Sequence, residues 1–308
     1  MKWLTRRNRP CSGFFAAGLS LLLAALLLAS GGYAFWCTHR PLPSDTREAL
    51  FEGVTYLREV RHEPRQIVIH VLLIDLEAPG IRFMVTPGDL SPDGEIRART
   101  TSQFLDELDV QVAVNGDFFE PVWSNSPWDY YPHIDDPVDL FGFASSSGTV
   151  YSEGEPNYPP TLYLSRDNQA GFSAPIDGAA HNAISGNTIF LEQGEVRVQP
   201  HPYHEDLHPR TAVALDREGH TLILLVVDGR QPNYSEGVTM AELAEIVIEY
   251  GGDTALNLDG GGSTTMVMEG QSGGPSLLNS PIDNQIPGRE RPVANHLGVY
   301  ASRMPQVP

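Results

Sequence analysis

Thr211-Ala212-Val213-Ala214-Leu215-Asp216-Arg217-Glu218-Gly219-His220-Thr221-Leu222-Ile223-Leu224-Leu225-Val226-Val227 decides the fold class of this 308-residue chain. Two apolar runs rich in β-branched residues flank Asp216-Arg217-Glu218-Gly219, a hairpin-like turn, so the stretch reads as paired strands Thr211–Leu215 and Thr221–Val227. Twelve residues on, Thr239-Met240-Ala241-Glu242 is a capping box that opens a helix to Tyr250. Leu243, Ile246, Val247 and Tyr250 recur at helical spacing, Glu242, Glu245 and Glu249 fall off that stripe, and Gly251-Gly252 stops it.

Outward from this core, further strands are expected at Val54–Val60, Ile67–Leu76, Ile81–Val85, Val110–Val114, Ala255–Leu258 and Val293–Tyr300. The unbroken Ile/Val/Leu run of Ile67–Leu76 implies burial on both faces. Thr101–Leu108 reads as a short helix capped by Thr100 or Thr101, and Leu42–Ala49 as a tether. Trp123–Gly148 mixes Trp123, Trp128, Tyr130, Tyr131, Phe141 and Phe143 with prolines and aspartates, a pattern read as an ordered loop or lid. Strands and helices alternate only locally. The class is therefore mixed α/β (α+β), a single catalytic domain of mainly β-strands with a few packed helices, preceded by one N-terminal transmembrane helix.

That N-terminal helix is read from charge. Lys2, Arg6, Arg7 and Arg9 precede 30 residues without a formal charge, enough to span a bilayer, and the positive-inside rule puts the body beyond the membrane. The span is long for a signal peptide and its end offers a poor cleavage site, which favours an uncleaved anchor over a secreted form. The expected division is 1–37 for the basic stub and anchor, 38–50 for the tether and 51–308 for the domain, with the body in the periplasm or outside the cell.

From Thr38 onward the chain holds 16 arginines, no lysine and 39 acids, a net charge of −23. Such a surface repels phosphate backbones and excludes non-specific nucleic-acid binding. Both cysteines, Cys11 and Cys37, lie outside this body, which excludes a disulfide framework, a cysteine-ligated zinc and a thiol nucleophile within it.

Polar groups gather where strands end, the usual place for binding residues on a rigid scaffold. Asn115-Gly116-Asp117-Phe118-Phe119 follows one strand, His208-Pro209-Arg210-Thr211 precedes another, and Asp228-Gly229-Arg230 follows a third. Asn257-Leu258-Asp259-Gly260-Gly261-Gly262-Ser263 is the most unusual, because three glycines let a ligand approach backbone N–H groups as in an anion-binding nest. It is neither a P-loop nor a dinucleotide fingerprint. Ser263 lacks the elbow of a serine nucleophile. His201, His204, Glu205, Asp206 and His208, like His133, Asp135, Asp136 and Asp139, have the composition of a metal site but the surroundings of solvated loops. The sequence requires no cofactor, and a divalent metal has no further support in it.

In this order, with Asn295-His296-Leu297-Gly298-Val299-Tyr300 as the last block and Ala183-Ile184-Ser185-Gly186 as a middle one, the segments resemble the phosphodiester glycosidase family over roughly Val110–Ala301. The resemblance implies hydrolysis of a sugar-1-phosphodiester on its glycosidic side, releasing free sugar and a phosphomonoester. Asp117, Asp228, Asp259 and His296 are then the catalytic candidates. Asn115, Arg210, Thr211, Arg230, Asn257, Gly260, Gly261, Gly262 and Ser263 are the candidate substrate-binding set, with arginines and glycine amides stabilising the departing phosphate. The animal enzyme of the family is disulfide-rich outside its catalytic domain, whereas this body is cysteine-free, so the expected target is a carbohydrate phosphodiester of an envelope or extracellular glycan. The competing readings are a non-catalytic glycan-binding protein of exopolysaccharide assembly and a metal-dependent phosphodiesterase that cleaves P–O.

Overall fold

The computed structural model describes residues 12–89, 94–154, 160–172, 174–175 and 180–304. It divides into two units, 1–41 and 42–308. In the first, the uncharged stretch forms one helix, Ser12–His39. Among the described residues no helix is long and apolar enough to cross a membrane.

The second unit is mainly β-strand with few helices. The hairpin read from the sequence forms as Arg210–Leu215 and Thr221–Val227, with Leu215 opposite Leu222 and Arg210 opposite Val227. Asp216 accepts from the His220 amide through its carboxylate at 2.8 Å and Gly219 takes φ +71°, a backbone that favours glycine, so the turn has the residues its geometry needs. The hairpin lies inside an eight-stranded antiparallel sheet ordered Thr46–Phe51, Val54–Arg61, Ile67–Asp75, Thr221–Val227, Arg210–Leu215, Thr254–Asn257, Thr188–Glu192 and Glu195–Val196. A five-stranded sheet runs Pro275–Leu277, Met266–Glu269, Val112–Asn115, His296–Tyr300 and Arg82–Val85. A second five-stranded sheet is built on Phe143–Ser146, Asn182–Ser185 and Thr161–Leu164.

Alternation along the strands sorts the apolar residues into three clusters. Leu72, Ile74, Val213, Leu224 and Leu256 of the large sheet pack with Val112, Val114, Leu297, Val299 and Ile184 of the smaller sheets in the main core. The opposite face of the large sheet, Ile69, Val71, Ala212, Ile223 and Leu225, is covered by Leu243, Ile246 and Val247 of the helix Met240–Glu249. Ala113 and Val267, on the outer face of the smaller sheet, are covered by Phe104 and Leu105 of the helix Thr101–Leu108. Each fully buried aliphatic side chain in these layers contributes roughly 1.5–3 kcal/mol. The helix Met240–Glu249 opens on the expected capping box of Thr239 with Glu242, and Thr101–Leu108 is capped by Thr100, which forms a capping box with Gln103.

Two segments depart from the sequence reading. The tether is a strand from Thr46 onward, paired with Val54–Arg61, because Phe51 is buried against the core and fixes the register. Trp123–Gly148 is not one loop but several short strands, including a hairpin of Trp123–Ser126 with Asp129–Tyr131. Each is only three or four residues long, too short for period-two alternation to register.

Candidate active site

The antiparallel register carries four of the polar segments to one place. Arg210 begins its strand opposite Val227, so Arg210 and Asp228-Gly229-Arg230 share a sheet end. Asn257 ends the next strand, and Asn115 ends the central strand of the smaller sheet. The two ends are stitched together. Fully buried Asn115 accepts from the Thr211 hydroxyl at 2.8 Å and the Thr265 amide at 3.0 Å, and donates to the Asp259 carbonyl at 2.6 Å. The Asp259 amide in turn donates to the Gly116 carbonyl at 2.9 Å. Asn115 and Thr211 are thus the clasp of the site.

The glycine loop departs from the nest expected of it. The Gly260 amide donates to Asp259 Oδ1 at 2.8 Å and the Gly261 amide to the Pro209 carbonyl at 2.9 Å, so two of the three are committed within the protein. What the glycines give instead is room for cations. A Cβ on Gly261 would lie 3.0 Å from Arg230 Nη1, and one on Gly262 would overlap the guanidinium of Arg291. Gly261 also takes φ +63° at the start of a single 3-10 turn to Ser263.

Arg230 donates to Nδ1 of His208 at 3.0 Å. Burial, then the charges of Arg230 and Arg210, push that imidazole down to about 4, so it is neutral near pH 7 and its lone pair can accept. His208 stacks on Tyr203 at 5.1 Å between ring centres, and Arg210 lies over the same ring at 4.4 Å from its centre. Arg210 is fully buried, spends its donors on the carbonyls of Val238, Tyr203 and Asp206, and keeps Nη1 without a hydrogen-bond partner among the described residues. Arg291, absent from the sequence-derived set, donates to Ser263 Oγ at 3.4 Å and to Asp283 Oδ1 at 2.8 Å. The signal that could have found it is Arg289-Glu290-Arg291, a basic pair in a body that holds few cations.

The catalytic candidates separate. Asp259 is half-buried on the loop, and desolvation raises its carboxyl above the ordinary range against the opposing pull of Ser263, Arg291, the Gly260 amide and Arg230. Asp117 is 1% exposed and its carboxylate accepts from the amides of Phe118 at 2.7 Å and Gly142 at 2.9 Å. It stands beside Asp259 through the Gly116 link, but faces inward. Asp228 is committed within the protein: its carboxylate is fully buried and accepts from Asn279 Nδ2 at 3.0 Å and the Ser280 amide at 2.9 Å, with His70 Nε2 at 3.1 Å. His296 pairs with Asn115 on the neighbouring strand, so it lies beside the clasp rather than on the loop. It stacks on Phe104 at 4.8 Å beneath the helix Thr101–Leu108, with Nδ1 3.0 Å from Thr86 Oγ1, and burial holds it well below the usual histidine range.

Asn257 donates to Asn187 Oδ1 at 2.7 Å and its own Oδ1 has no partner among the described residues. Asn187 lines a cleft of about 550 Å³ together with Phe118, His201, Tyr203 and His204. The stretch read as a solvated histidine loop is therefore one wall of the site, built on the single helical turn Pro202–Glu205. Among the described residues no three His, Cys, Asp or Glu side chains come together as a metal group.

A phosphodiester glycosidase family model matches residues 109–300. Bovine N-acetylglucosamine-1-phosphodiester alpha-N-acetylglucosaminidase is 46% identical over 75 residues, 24% of this chain and 13% of that protein. The SPbeta prophage-derived uncharacterized protein YomE of Bacillus subtilis is 34% identical over 164 residues, 52% of this chain and 23% of its own length. The aligned segments therefore span less than a quarter of these curated relatives. In fold, the chain is similar to the zebrafish N-acetylglucosamine-1-phosphodiester alpha-N-acetylglucosaminidase catalytic domain auto-inhibited by pro-peptide, with a TM-score of 0.59 at 21% identity over 85% of each chain.

Proposed function

The chain belongs to the phosphodiester glycosidase family, and from that premise we propose that it hydrolyses the glycosidic bond of a sugar-1-phosphodiester in an envelope or extracellular glycan, releasing free sugar and a phosphomonoester. The observation that carries the reading is the convergence of Arg230 and Arg291 on the side-chain-free face of Gly261 and Gly262, beside the carboxyl of Asp259. In a body with a net charge of −23, two guanidinium groups against one loop make a local site for phosphate oxygens, which they bind in a planar fork.

The reaction divides among these groups. As the C1–O bond breaks, negative charge grows on the departing phosphate, where Arg230 and Arg291 are already placed and need no reorganisation. A phosphodiester leaves more readily than an alkoxide, so the demand on a general acid is small. The positive charge that develops on the sugar falls to Asp259, whose raised pKa also lets it exchange a proton with the attacking water. The cleft bounded by Asn187, Tyr203 and His201 receives the sugar ring. The four basic residues ahead of 30 uncharged ones support an N-terminal anchor that holds this body on the outer side of a membrane.

The test is formation of free sugar and aryl phosphate from a chromogenic aryl phosphodiester of a sugar-1-phosphate by the full-length chain, with a coupled phosphatase freeing the chromophore from the aryl phosphate. Asp259→Asn should lower kcat by about 10²–10⁴ while substrate binding persists. Hydrolysis in ¹⁸O water should label the sugar; label in the phosphate would mean P–O cleavage and overturn the proposal.

A further inference from the structure

The hairpin Trp123–Ser126 and Asp129–Tyr131 exposes 86% of Trp128 at its turn and 44% of Trp123 on its first strand. An indole left in water leaves unrealised the free energy that covering it would release, and here it is not on a slack loop. The Ser126 hydroxyl accepts from the Asp129 amide at 3.0 Å, and Asn125 Nδ2 donates to Asp129 Oδ2 at 3.2 Å. Arg289 donates to the Pro127 carbonyl at 3.1 Å and lies 4.4 Å over the Tyr130 ring. The turn that presents Trp128 is therefore braced from below.

The brace leads to the proposed active site. Asp283 is buried and takes Arg289 on Oδ2 at 3.4 Å and Arg291 on Oδ1 at 2.8 Å. Arg291 reaches Ser263 and the face of Gly262. One carboxylate thus fixes the hairpin relative to the loop, on the Arg291 side of it, while the cleft of Tyr203 and His201 belongs to the Arg230 side through the His208 stack.

We infer that the Trp128 hairpin is a binding platform for the glycan chain on the phosphate side of the scissile bond, so that the enzyme acts on a polymer rather than on a free sugar diester. This rests on the glycosidase reading above. A flat indole on a hairpin that also carries Ser124, Asn125, Ser126 and Asp129 suits a sugar ring, whose apolar face stacks on an aromatic while its hydroxyls pair with carboxylate, amide and hydroxyl groups. The same fringe, with Asp129 in it on a body of net charge −23, is the wrong chemistry for an anionic lipid surface.

Two readouts on the full-length protein test this. In turnover, Trp128→Ala should raise KM roughly five- to tenfold for a capsular polysaccharide of sugar-1-phosphodiester repeats, with kcat/KM for the chromogenic monosaccharide diester unchanged within about twofold. Trp128→Phe should restore most of the loss, since it keeps a ring to stack. In retention, which needs no turnover, Asp259→Asn protein should be held by the same polysaccharide immobilised on resin, and Asp259→Asn/Trp128→Ala should be held at least about fivefold less. Equal retention of the two overturns the platform, as does equal loss of kcat/KM on polymer and monosaccharide. Absence of turnover on both substrates refutes the glycosidase reading and leaves retention to decide the platform separately.

Discussion

Asp228→Asn and Asp228→Ala separate a catalytic carboxylate from a structural one. Tyr56 Oη lies 2.8 Å from Nδ1 of His70, and His70 Nε2 lies 3.1 Å from Asp228 Oδ2. With Asp228 ionised, Nε2 donates to the carboxylate and Nδ1 accepts from the tyrosine hydroxyl. The other oxygen receives the Ser280 amide and Asn279 Nδ2, and Asn279 also donates to the Thr264 carbonyl at 3.2 Å, so the network ends under the glycine loop. Alanine would strip the acceptor from the buried Ser280 amide and His70 ring and half-strip Asn279. At about 1–3 kcal/mol for each buried group left unpaired, the loss is about 3–6 kcal/mol. For a domain of this size that is a fall in Tm of about 10 °C or more. Asparagine keeps an oxygen for Ser280 and Asn279 and turns its amide to His70, which moves its proton to Nδ1. Only the tyrosine hydroxyl proton loses its acceptor, at about 1–2 kcal/mol. Thermal denaturation beside turnover of the chromogenic diester decides the matter. Asp228→Asn should melt within a few degrees of the native protein and keep kcat/KM within about threefold, a change of under 1 kcal/mol in barrier. A folded Asp228→Asn protein slower by about 10³ or more would put Asp228 in the chemistry and refute this reasoning.

The raised pKa of Asp259 carries a sign for stability. The native state holds that proton more tightly than the unfolded chain, so the native protein loses stability relative to Asp259→Asn as pH rises from the ordinary carboxyl range, about 4, through the raised native value. Urea denaturation of both proteins across that window measures the difference, and a constant difference would contradict it. Arg291→Ala should lower kcat/KM by about 10²–10³, as removal of one preorganised donor to a developing anion does. Arg291→Lys should recover little of it in the same steady-state assay, because a single ammonium cannot hold Asp283 and the loop together.

The layers of the fold were legible where the signal is local. Thr239 with Glu242 announces its helix within four residues, Thr100 or Thr101 marks the start of the other, and Ile67–Asp75 and Thr221–Val227 announce central strands by apolar runs that need no partner to be recognised. The glycine loop and the residues beside strand ends were legible for a similar reason, since loops that follow buried strands carry polar groups only when those groups have a use. What was not legible depends on contacts between distant segments. Arg291 lies 28 residues from Ser263 in a proline-rich stretch, and only the fold lays it against Gly262. Asp228 follows a buried strand just as a catalytic acid would. Its commitment to Asn279 and Ser280, some 50 residues away, has no trace in the local pattern.

The Asn115 clasp has a consequence for motion. One side chain joins a strand of each sheet and the backbone on both sides of the glycine loop, and it sits in full burial between them. The loop cannot lift away while the sheets stay packed, because every local opening would leave an amide and a hydroxyl unsatisfied in the interior. The amides of Gly260 and Gly261 therefore belong to the same cooperative unit as the core strands, and their protons should exchange with solvent as slowly as those of the strands. Substrate must come to a site that is already in its working shape, and adaptability is left to the outer wall around Tyr203.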